Sequence, residues 1–413
     1  MYHPTIISRR VASLASTLGI TPVERSPEEV QGWVERLADA RGPKGEELRE
    51  ISEEEQSFVL SELTLSKCSY RYWAERYSTC IAKGNREQKL FPLLPSQEVI
   101  LDALARLELE VEASPDEDGI LVDILKARQI GGTSLAVSLC AHRLLLQTNI
   151  KAVMAADVPE NASYNFGAFR LIYYSLPWWM QPGLTRYSNT YPEAYEFSTG
   201  SQVWCHAGQS ARGTEGDRGQ IARGKAISVC HLGELCLWED TNQIDAALVP
   251  ALAPDKRTLA IFESSPLGQS SWWHKEWKSA VAGAGRFRPV FVPWYAETNR
   301  YRRTAPTSWS PKPSTLAHAR RCEAQAPVWL GRKITLTRDQ LYWYETRRLA
   351  YEFKNALSTF LSEYSADPEE CFTFSGRSLI PVEVIQRVRE QAKPILAAFE
   401  IAPLMDLQAG GKL

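Results

Sequence analysis

The sequence predicts an α/β fold in which a mostly parallel sheet is covered by helices and flanked in the chain by helical segments at both ends. Three observations predict it. From Pro95 onward, short apolar runs alternate with stretches of helical periodicity, the pattern of parallel strands joined by helical crossovers. Before that point, and again after Thr337, apolar residues recur at helical spacing behind capping-box signals. Finally, 413 residues with 44% hydrophobic and 23% charged side chains suffice for two or three domains, or for one large α/β domain with additions.

The elements follow in order. In SPEEVQGWVERLADARGP, Ser26 and Glu29 stand at capping-box spacing with Pro27 at the first helical position. Val30, Trp33, Val34 and Leu37 then line one face, and Gly42-Pro43 is the expected stop. The acidic run from Glu46 to Glu55 is expected to be a solvated helix face. An aromatic-rich segment beginning KCSYRYWAERY leads into the central region. There SQEVILDALARLEL has helical periodicity, and the turn SPDEDG feeds a strand from Ile120 to Leu125. A Gly-rich turn and the helix TSLAVSLCAHRLLLQ come next, then the strand IKAVMAAD and a helical stretch ending near LPWW. SQVWCH, KAISVCH, RTLAIFES and RFRPVFV are the later strands. Residues 296–330, rich in Pro, Ser, Thr and Arg, read as a long loop or linker. Helical character returns at TRDQLYWYETRRLAYEFKNALSTFLSEY, where Thr337 and Gln340 repeat the capping-box pattern. The implied division is a helical region over 1–90, the sheet domain over 91–330 and a helical linker or lid segment over 331–413.

A formal net charge of -2 gives no global nucleic-acid footprint, so any DNA contact must come from local basic patches. One candidate lies between Arg300 and Lys333, where Arg300, Arg302, Arg303, Lys312, Arg320, Arg321, Arg332 and Lys333 stand against Glu323 alone. A solvated basic linker fits that segment equally well. The eight cysteines show neither a Cys-x-x-Cys zinc spacing nor a short secreted framework, and read as reduced cytosolic thiols. No apolar run approaches the roughly 18 to 20 residues that span a bilayer. The N-terminal MYHPTIISRRVASLAS lacks the core of a signal peptide. The expectation is a soluble, intracellular protein with no membrane contact.

The stretch KARQIGGTS, Lys126 to Ser134, follows a strand and opens a helix, the context of a phosphate-binding loop. Gly131 and Gly132 let backbone amides approach an anion, and the next helix offers its positive end. Thr133 stands where a hydroxyl would hold Mg²⁺, while Lys126 and Arg128 could reach phosphates from the start of the loop. The usual lysine position holds Gly132, and a simple strand-to-helix turn stays open for this stretch alone. Further along, KAISVCHLGELCLWED supplies an apolar strand, expected next to the first, that ends in Glu234. A carboxylate there polarises an attacking water, although Glu234 alone is equally a surface carboxylate. The aspartate usual just before it is replaced by Gly233. A further strand ends in Ser264-Ser265, a hydroxyl pair that could contact a γ-phosphate or simply serve the turn before Pro266 and Gly268.

In this order the motifs resemble those of the large terminase subunit of tailed bacteriophages, the motor that pumps DNA into procapsids. Arg128-Gln129-Ile130-Gly131 is similar to that family's phosphate loop, and several members carry their lysine where Lys126 stands. HLGE, His231 to Glu234, looks like the family's HLSE strand end, and ESSPLG, Glu263 to Gly268, is similar to its coupling motif. Gln97 in LLPSQ, Arg212-Gly213 in SARGTEG, the segment from Phe291 to Tyr295 and SEYSADPEECF also have counterparts. The resemblance covers residues 65–380, and it implies a P-loop ATPase core of the ASCE type that uses ATP and Mg²⁺. It implies Lys126 as the phosphate lysine and Arg128 as a second phosphate contact or switch. Gln129, Gly131, Gly132, Thr133 and Ser134 would form the nucleotide loop, with Gln97 reading the adenine edge. Thr133 and Glu234 would serve the metal, Glu234 would be the catalytic carboxylate, and Ser264 and Ser265 would relay hydrolysis to movement.

The resemblance further implies double-stranded DNA, the small terminase subunit and the portal protein as partners, a homo-oligomeric ring when assembled, and the host cytoplasm as the place of action. A neighbouring subunit is expected to supply an arginine, with Arg170, Arg212, Arg218 and Arg223 as candidates. Large terminases usually continue into a nuclease domain with clustered aspartates. After Asp367 the only remaining aspartate is Asp406, too few for a two-metal carboxylate cluster. The expectation is a chain cut before its nuclease, in preference to a nuclease on a separate polypeptide. Two other readings stay open: a helicase-like or other DNA-stimulated P-loop ATPase, and a nucleotide-binding scaffold with a degenerate loop.

Overall fold

Four helices precede the sheet: α1 (Pro4–Leu18), α2 (Pro27–Leu37), α3 (Glu53–Cys68) and α4 (Tyr70–Arg76). The computed structural model describes residues 1–374 apart from 42–46, 48, 82–87, 116–117, 209–225, 240, 243 and 270, together with Val384 and Val388. Gly42-Pro43, Glu46, Arg212-Gly213, Arg218, Arg223 and Asp406 therefore lie outside the described residues.

The predicted start of α2 is present, with Glu29 N donating to Ser26 Oγ (3.2 Å) and Ser26 N to Glu29 Oε2 (2.8 Å). The helix stops at Leu37 and passes into a 3-10 turn, Ala38–Ala40. Of the acidic run, Glu47, Glu50, Glu53 and Glu54 are exposed as expected, although the helix starts only at Glu53, and Glu55 departs from the expectation. It is buried because its carboxylate accepts from Arg49 Nη1 and Nη2, 3.0 Å each, and from Ser52 N at 2.8 Å. Buried Glu62 accepts from the Tyr72 and Tyr77 hydroxyls, 2.8 Å each, and so pins α3 to α4.

A small antiparallel ribbon, β1 (Thr79–Ile81) and β2 (Gln88–Leu90), leads to α5 (Pro95–Ala113). The main sheet then takes β3 (Ile120–Lys126), β4 (Lys151–Ala156), β5 (Leu184–Ser188), β6 (Ala194–Phe197) and β7 (Gln202–Ala207). It is completed by β8 (Val229–Gly233), β9 (Leu259–Ser264) and β10 (Arg288–Val292). Connecting helices are α6 (Gly132–Leu146), α7 (Pro159–Ser175), the short α8 (Val249–Ala251) and α9 (Trp272–Val281). The 8-stranded order is β10-β3-β9-β8-β4-β7-β6-β5. Every pair from β10 to β7 is parallel, whereas β6 and β5 add an antiparallel edge. The predicted mostly parallel α/β sheet is thus the observed one. Strands β3, β8 and β9 are buried along their whole length, which is why each reads as a continuous apolar run.

Two expectations need correction. β8 does not lie next to β3; β9 runs between them, pairing with both. Residues 313–330 of the expected loop form helix α10 (Pro313–Leu330). Pro313 sits in its first turn, where a missing amide is harmless, and Thr315, His318, Ala319, Cys322, Ala326 and Leu330 bury one face strongly enough to tolerate Pro327 in the interior. The helical character expected after Thr337 is present: α11 (Arg338–Phe353) starts at the Thr337–Gln340 capping box, then Asn355 takes a left-handed φ of 52° before α12 (Leu357–Glu363) and α13 (Pro368–Phe374).

The helical regions pack on the sheet domain through polar pins within apolar surface. The Tyr70 hydroxyl donates to Ser138 Oγ (3.0 Å), and the His142 ring bonds Ser66 O through Nε2 (2.8 Å), joining α3 and α4 to α6. On the other side, Trp294 just after β10 is fully buried. Its ring lies 5.3 Å from Tyr344, 5.5 Å from Trp343 and 6.0 Å from His318, so one indole joins β10 to α10 and α11. Residues Met1–Gly376 fall in a single packed unit. Among the described residues no helix is long and apolar enough to cross a membrane.

The two buried histidines give a pH dependence. Burial pulls His142 down to about 3, and burial with the charges of Arg321 and Arg348 takes His318 well below the ordinary 6.5. Once unfolded, both take up a proton below pH 6.5 that the native state refuses. Stability is therefore full above that pH and falls on acidification, by about 1.4 kcal/mol per pH unit for each histidine. Urea midpoints measured above and below that pH check this; a midpoint that rises on acidification contradicts it.

Candidate active site

The chain leaves β3 at Lys126 and turns into α6 through a loop with two left-handed residues, Gln129 (φ 57°) and Gly131 (φ 79°). The loop is tied down from several elements. Ala127 N donates to Val292 O (2.9 Å), Ser96 Oγ to Ile130 O (2.8 Å) and Arg300 Nη1 to Gln129 O (2.8 Å), while the Tyr301 hydroxyl donates to Arg128 O. Helix α6 has no side-chain cap at its N-terminus, so its first-turn amides have no acceptor within the helix. Such a helix end, with its dipole, is suited to an anion.

A cleft of about 570 Å³ opens over this loop, lined by Lys126, Gln129, Gly131, Gly132, Thr133 and Ser134. Glu234, Glu263, Ser265 and Glu363 line it as well. The topology brings these together: the C-terminal ends of the parallel strands β3, β9 and β8 lie side by side. Lys126 is buried, and its Nζ lies 3.0 Å from Glu234 Oε1 and 3.0 Å from Glu263 Oε2. Burial alone would lower its pKa, but the charges of Glu263 and Glu234 outweigh burial and raise it, so the side chain stays an ammonium. Glu263 is fully buried. Burial pushes its pKa up, yet Lys126 and the bonds from His231 and Thr133 hold it below the ordinary carboxylate range. Thr133 Oγ1 donates to Glu263 Oε1 (2.8 Å), and His231 Nε2 lies 3.4 Å from the same oxygen. Glu234 itself takes a left-handed φ of 52°, a strained conformation of the kind that collects at functional sites.

The missing lysine at the usual loop position has a steric explanation. A Cβ built on Gly132 would come within 3.0 Å of Lys126 Cδ, so the Lys126 stem already occupies the space that a side chain there would use. For a metal, the site offers a hydroxyl and a carboxylate, hard oxygen donors in contact at 2.8 Å. That set fits Mg²⁺, which binds through one or two protein oxygens plus substrate phosphates.

Neither a model of a known protein family nor the sequence of a curated protein matches the chain. Solved structures do. The large terminase of bacteriophage HK97 aligns with a TM-score of 0.42 and 18% identity, covering 69% of this chain and 52% of that one. The large terminase ATPase domain of Thermus phage P74-26 aligns with a TM-score of 0.36 and 14% identity, covering 67% of this chain and 99% of that one. The chain is similar to phage large terminases. It spans about half the length of the HK97 large terminase.

The other residues that the terminase resemblance singled out have varied surroundings. Gln97 is buried with its amide engaged at both ends, Oε1 accepting from Leu94 N (2.9 Å) and Nε2 donating to Gly131 O (2.8 Å). In this arrangement it ties α5 to the loop, and it also lines a small cavity beside the loop with Leu94, Gly131 and Ser134. Arg128 lines the cleft, but its guanidinium is 56% exposed and pairs with Glu363 Oε1 on α12 at 2.8 Å. Ser264 is buried and accepts from Cys236 N (2.9 Å), tying the tip of β9 to the turn after Glu234. Arg170 is half-buried on α7 beside Tyr195 and does not line the cleft. Sequence reasoning missed Glu363 as a partner of the loop and passed over Glu263 as the first letter of a coupling motif. The signal for Glu263 was the register that sets it opposite Gly233, which exists only once β9 is known to lie beside β8.

Proposed function

We propose that this chain is the ATPase motor subunit of a terminase, coupling ATP hydrolysis to the movement of double-stranded DNA into a procapsid. The observation that supports this reading best is the Lys126 ammonium, held 3.0 Å from both Glu234 and Glu263 beside the loop that opens an uncapped helix. In this reading ATP seats its phosphates on the amides of Gly131 to Ser134. Its phosphates compete with the two carboxylates for Lys126 Nζ, which frees Glu234 to orient an attacking water. Lys126 and Arg128 then offset charge that develops on the transferred phosphoryl group. Bound Mg²⁺, held at Thr133, would supply further charge neutralisation. The Ser264 bond to Cys236 N gives the coupling serines a direct link to the turn that carries Glu234.

Double-stranded DNA, a small terminase subunit, a portal protein and further copies of this chain in a ring are the proposed partners, and the host cytoplasm is the proposed place of action. DNA contact in such a motor goes to phosphates irrespective of sequence. Arg302, Arg303, Lys312, Arg320, Arg332 and Lys333 are exposed, whereas Arg300 bonds the loop and Arg321 pairs with Glu370 at 2.8 Å. Reversing Arg332 and Lys333 to Glu should lower DNA stimulation and flatten its salt dependence by about one unit of slope per lost phosphate contact. Turnover without DNA should be unchanged.

The proposal as a whole is tested by phosphate release from ATP with and without double-stranded DNA, alongside calorimetric titration of nucleotide. Binding of ATP with DNA-stimulated release supports it. A chain that binds no nucleotide refutes it.

A further inference from the structure

The strand β8 lacks the acid that usually precedes a catalytic glutamate, because Gly233 stands in its place. The space is not left open. A Cβ built on Gly233 would lie 3.1 Å from Glu263 Oε1 and 3.6 Å from His231 Nε2. Gly233 pairs with Glu263 in the parallel register of β8 and β9, so a carboxylate from β9 occupies the volume that a side chain on β8 would fill. The same relation holds at the other substituted position, where the Lys126 stem lies 3.0 Å from a Cβ built on Gly132. Each glycine is thus matched by a functional group reaching across from a neighbouring segment.

Glu263 is also placed for metal chemistry by its contacts. It is fully buried at the base of the cleft, and its Oε1 receives the Thr133 hydroxyl at 2.8 Å. Glu234, which like Glu263 lies 3.0 Å from Lys126 Nζ, is 33% exposed, as a group that must meet water would be. The two carboxylates therefore differ in surroundings: one is packed against the loop threonine, the other reaches solvent.

We propose that Glu263 is the metal-side carboxylate of this site, replacing the acid absent at Gly233 and acting with Thr133 to hold Mg²⁺ on the nucleotide. The proposal rests on the reading of the cleft as an ATP site. It divides the labour between the two acids: Glu263 serves the metal and Glu234 the water. It also removes Glu263 from the coupling motif in which the sequence had set it.

Mn²⁺ binding followed by electron paramagnetic resonance, with a non-hydrolysable ATP analogue present, tests this without turnover. Glu263→Gln should weaken Mn²⁺ affinity by about ten- to a hundredfold, the range seen when a metal site loses a supporting oxygen. Affinity for the metal-free analogue should stay near that of the wild type. In Gly233→Asp with Glu263→Ala, the acid returns to β8 in the space Glu263 vacates, and Mn²⁺ affinity should recover. Wild-type Mn²⁺ affinity in Glu263→Gln overturns the proposal while leaving the ATP site standing. Loss in the single variant without recovery in the double makes Glu263 a prop for Lys126 and overturns it too. If the wild-type chain binds neither analogue nor Mn²⁺, the underlying ATP reading fails.

Discussion

Lys126→Ala should reduce ATP turnover by about a hundred- to a thousandfold, the usual loss when one preorganised group facing the developing charge is removed. Lys126 is the lysine that lines the cleft, and no lysine stands at Gly132 to replace it. The substitution also leaves Glu234 and Glu263 without the cation that bridges them at 3.0 Å each. Breaking a buried pair on one side costs about 3–5 kcal/mol, so unfolding must be followed in parallel with phosphate release. Gly132→Ala should be milder. Its Cβ comes close only to the flexible Lys126 stem, at 3.0 Å, with Ile130 in ordinary contact at 3.9 Å, and a shift of that stem relieves the crowding. Turnover near wild type in a folded Lys126→Ala protein would place the phosphate charge elsewhere.

Trp294→Ala should destabilise the protein by about 3–5 kcal/mol, as large-to-small changes at buried tryptophans do. The indole is fully buried and stacks within 5.5 Å of both Trp343 and Tyr344, so its removal opens a cavity between β10, α10 and α11. Trp329 on α10 against Phe291 of β10, at 5.5 Å, and Trp343 on α11 against Tyr301, at 4.7 Å, are further aromatic contacts of these helices. The effect should extend to the site. Tyr301 packs edge-on against Trp294 at 6.5 Å and bonds the carbonyl of Arg128, so a loosened cluster releases one tie of the loop. Urea unfolding of Trp294→Ala and Trp294→Phe checks this, with the phenylalanine variant losing much less. Equal stability of the alanine variant and the wild type would rule out the anchoring role.

The fold was legible where burial on both faces writes itself as an apolar run. β3, β8 and β9 are of that kind, and the two capping boxes marked α2 and α11 at the correct residues. The hairpin of β5 and β6 was not legible, because its half-exposed residues interleave polar and aromatic side chains without a continuous run. Helix α10 was hidden by its prolines, whose cost is local, whereas the apolar face that outweighs them shows only against β10 and α11. At the site, local order along the chain was enough to bring forward Lys126, Thr133 and Glu234, and the fold places all three around one cleft. Strand order was not legible, and the place of Glu263 follows from it, because β9 lies between β3 and β8. The bond from Gln97 on α5 to Gly131 O is a tertiary contact that the sequence did not show either.

The proposed role of Glu234 is to orient the water that attacks a nucleotide bound in this cleft. Its most direct test is Glu234→Gln, in which ATP binding by calorimetry and phosphate release are measured on the same preparation. The substitution keeps the shape of the side chain and a polar partner for Lys126, but removes the carboxylate proposed to orient water. Nucleotide affinity should stay close to wild type while turnover falls by about a hundredfold or more. Hydrolysis retained at the wild-type rate in Glu234→Gln would contradict that role.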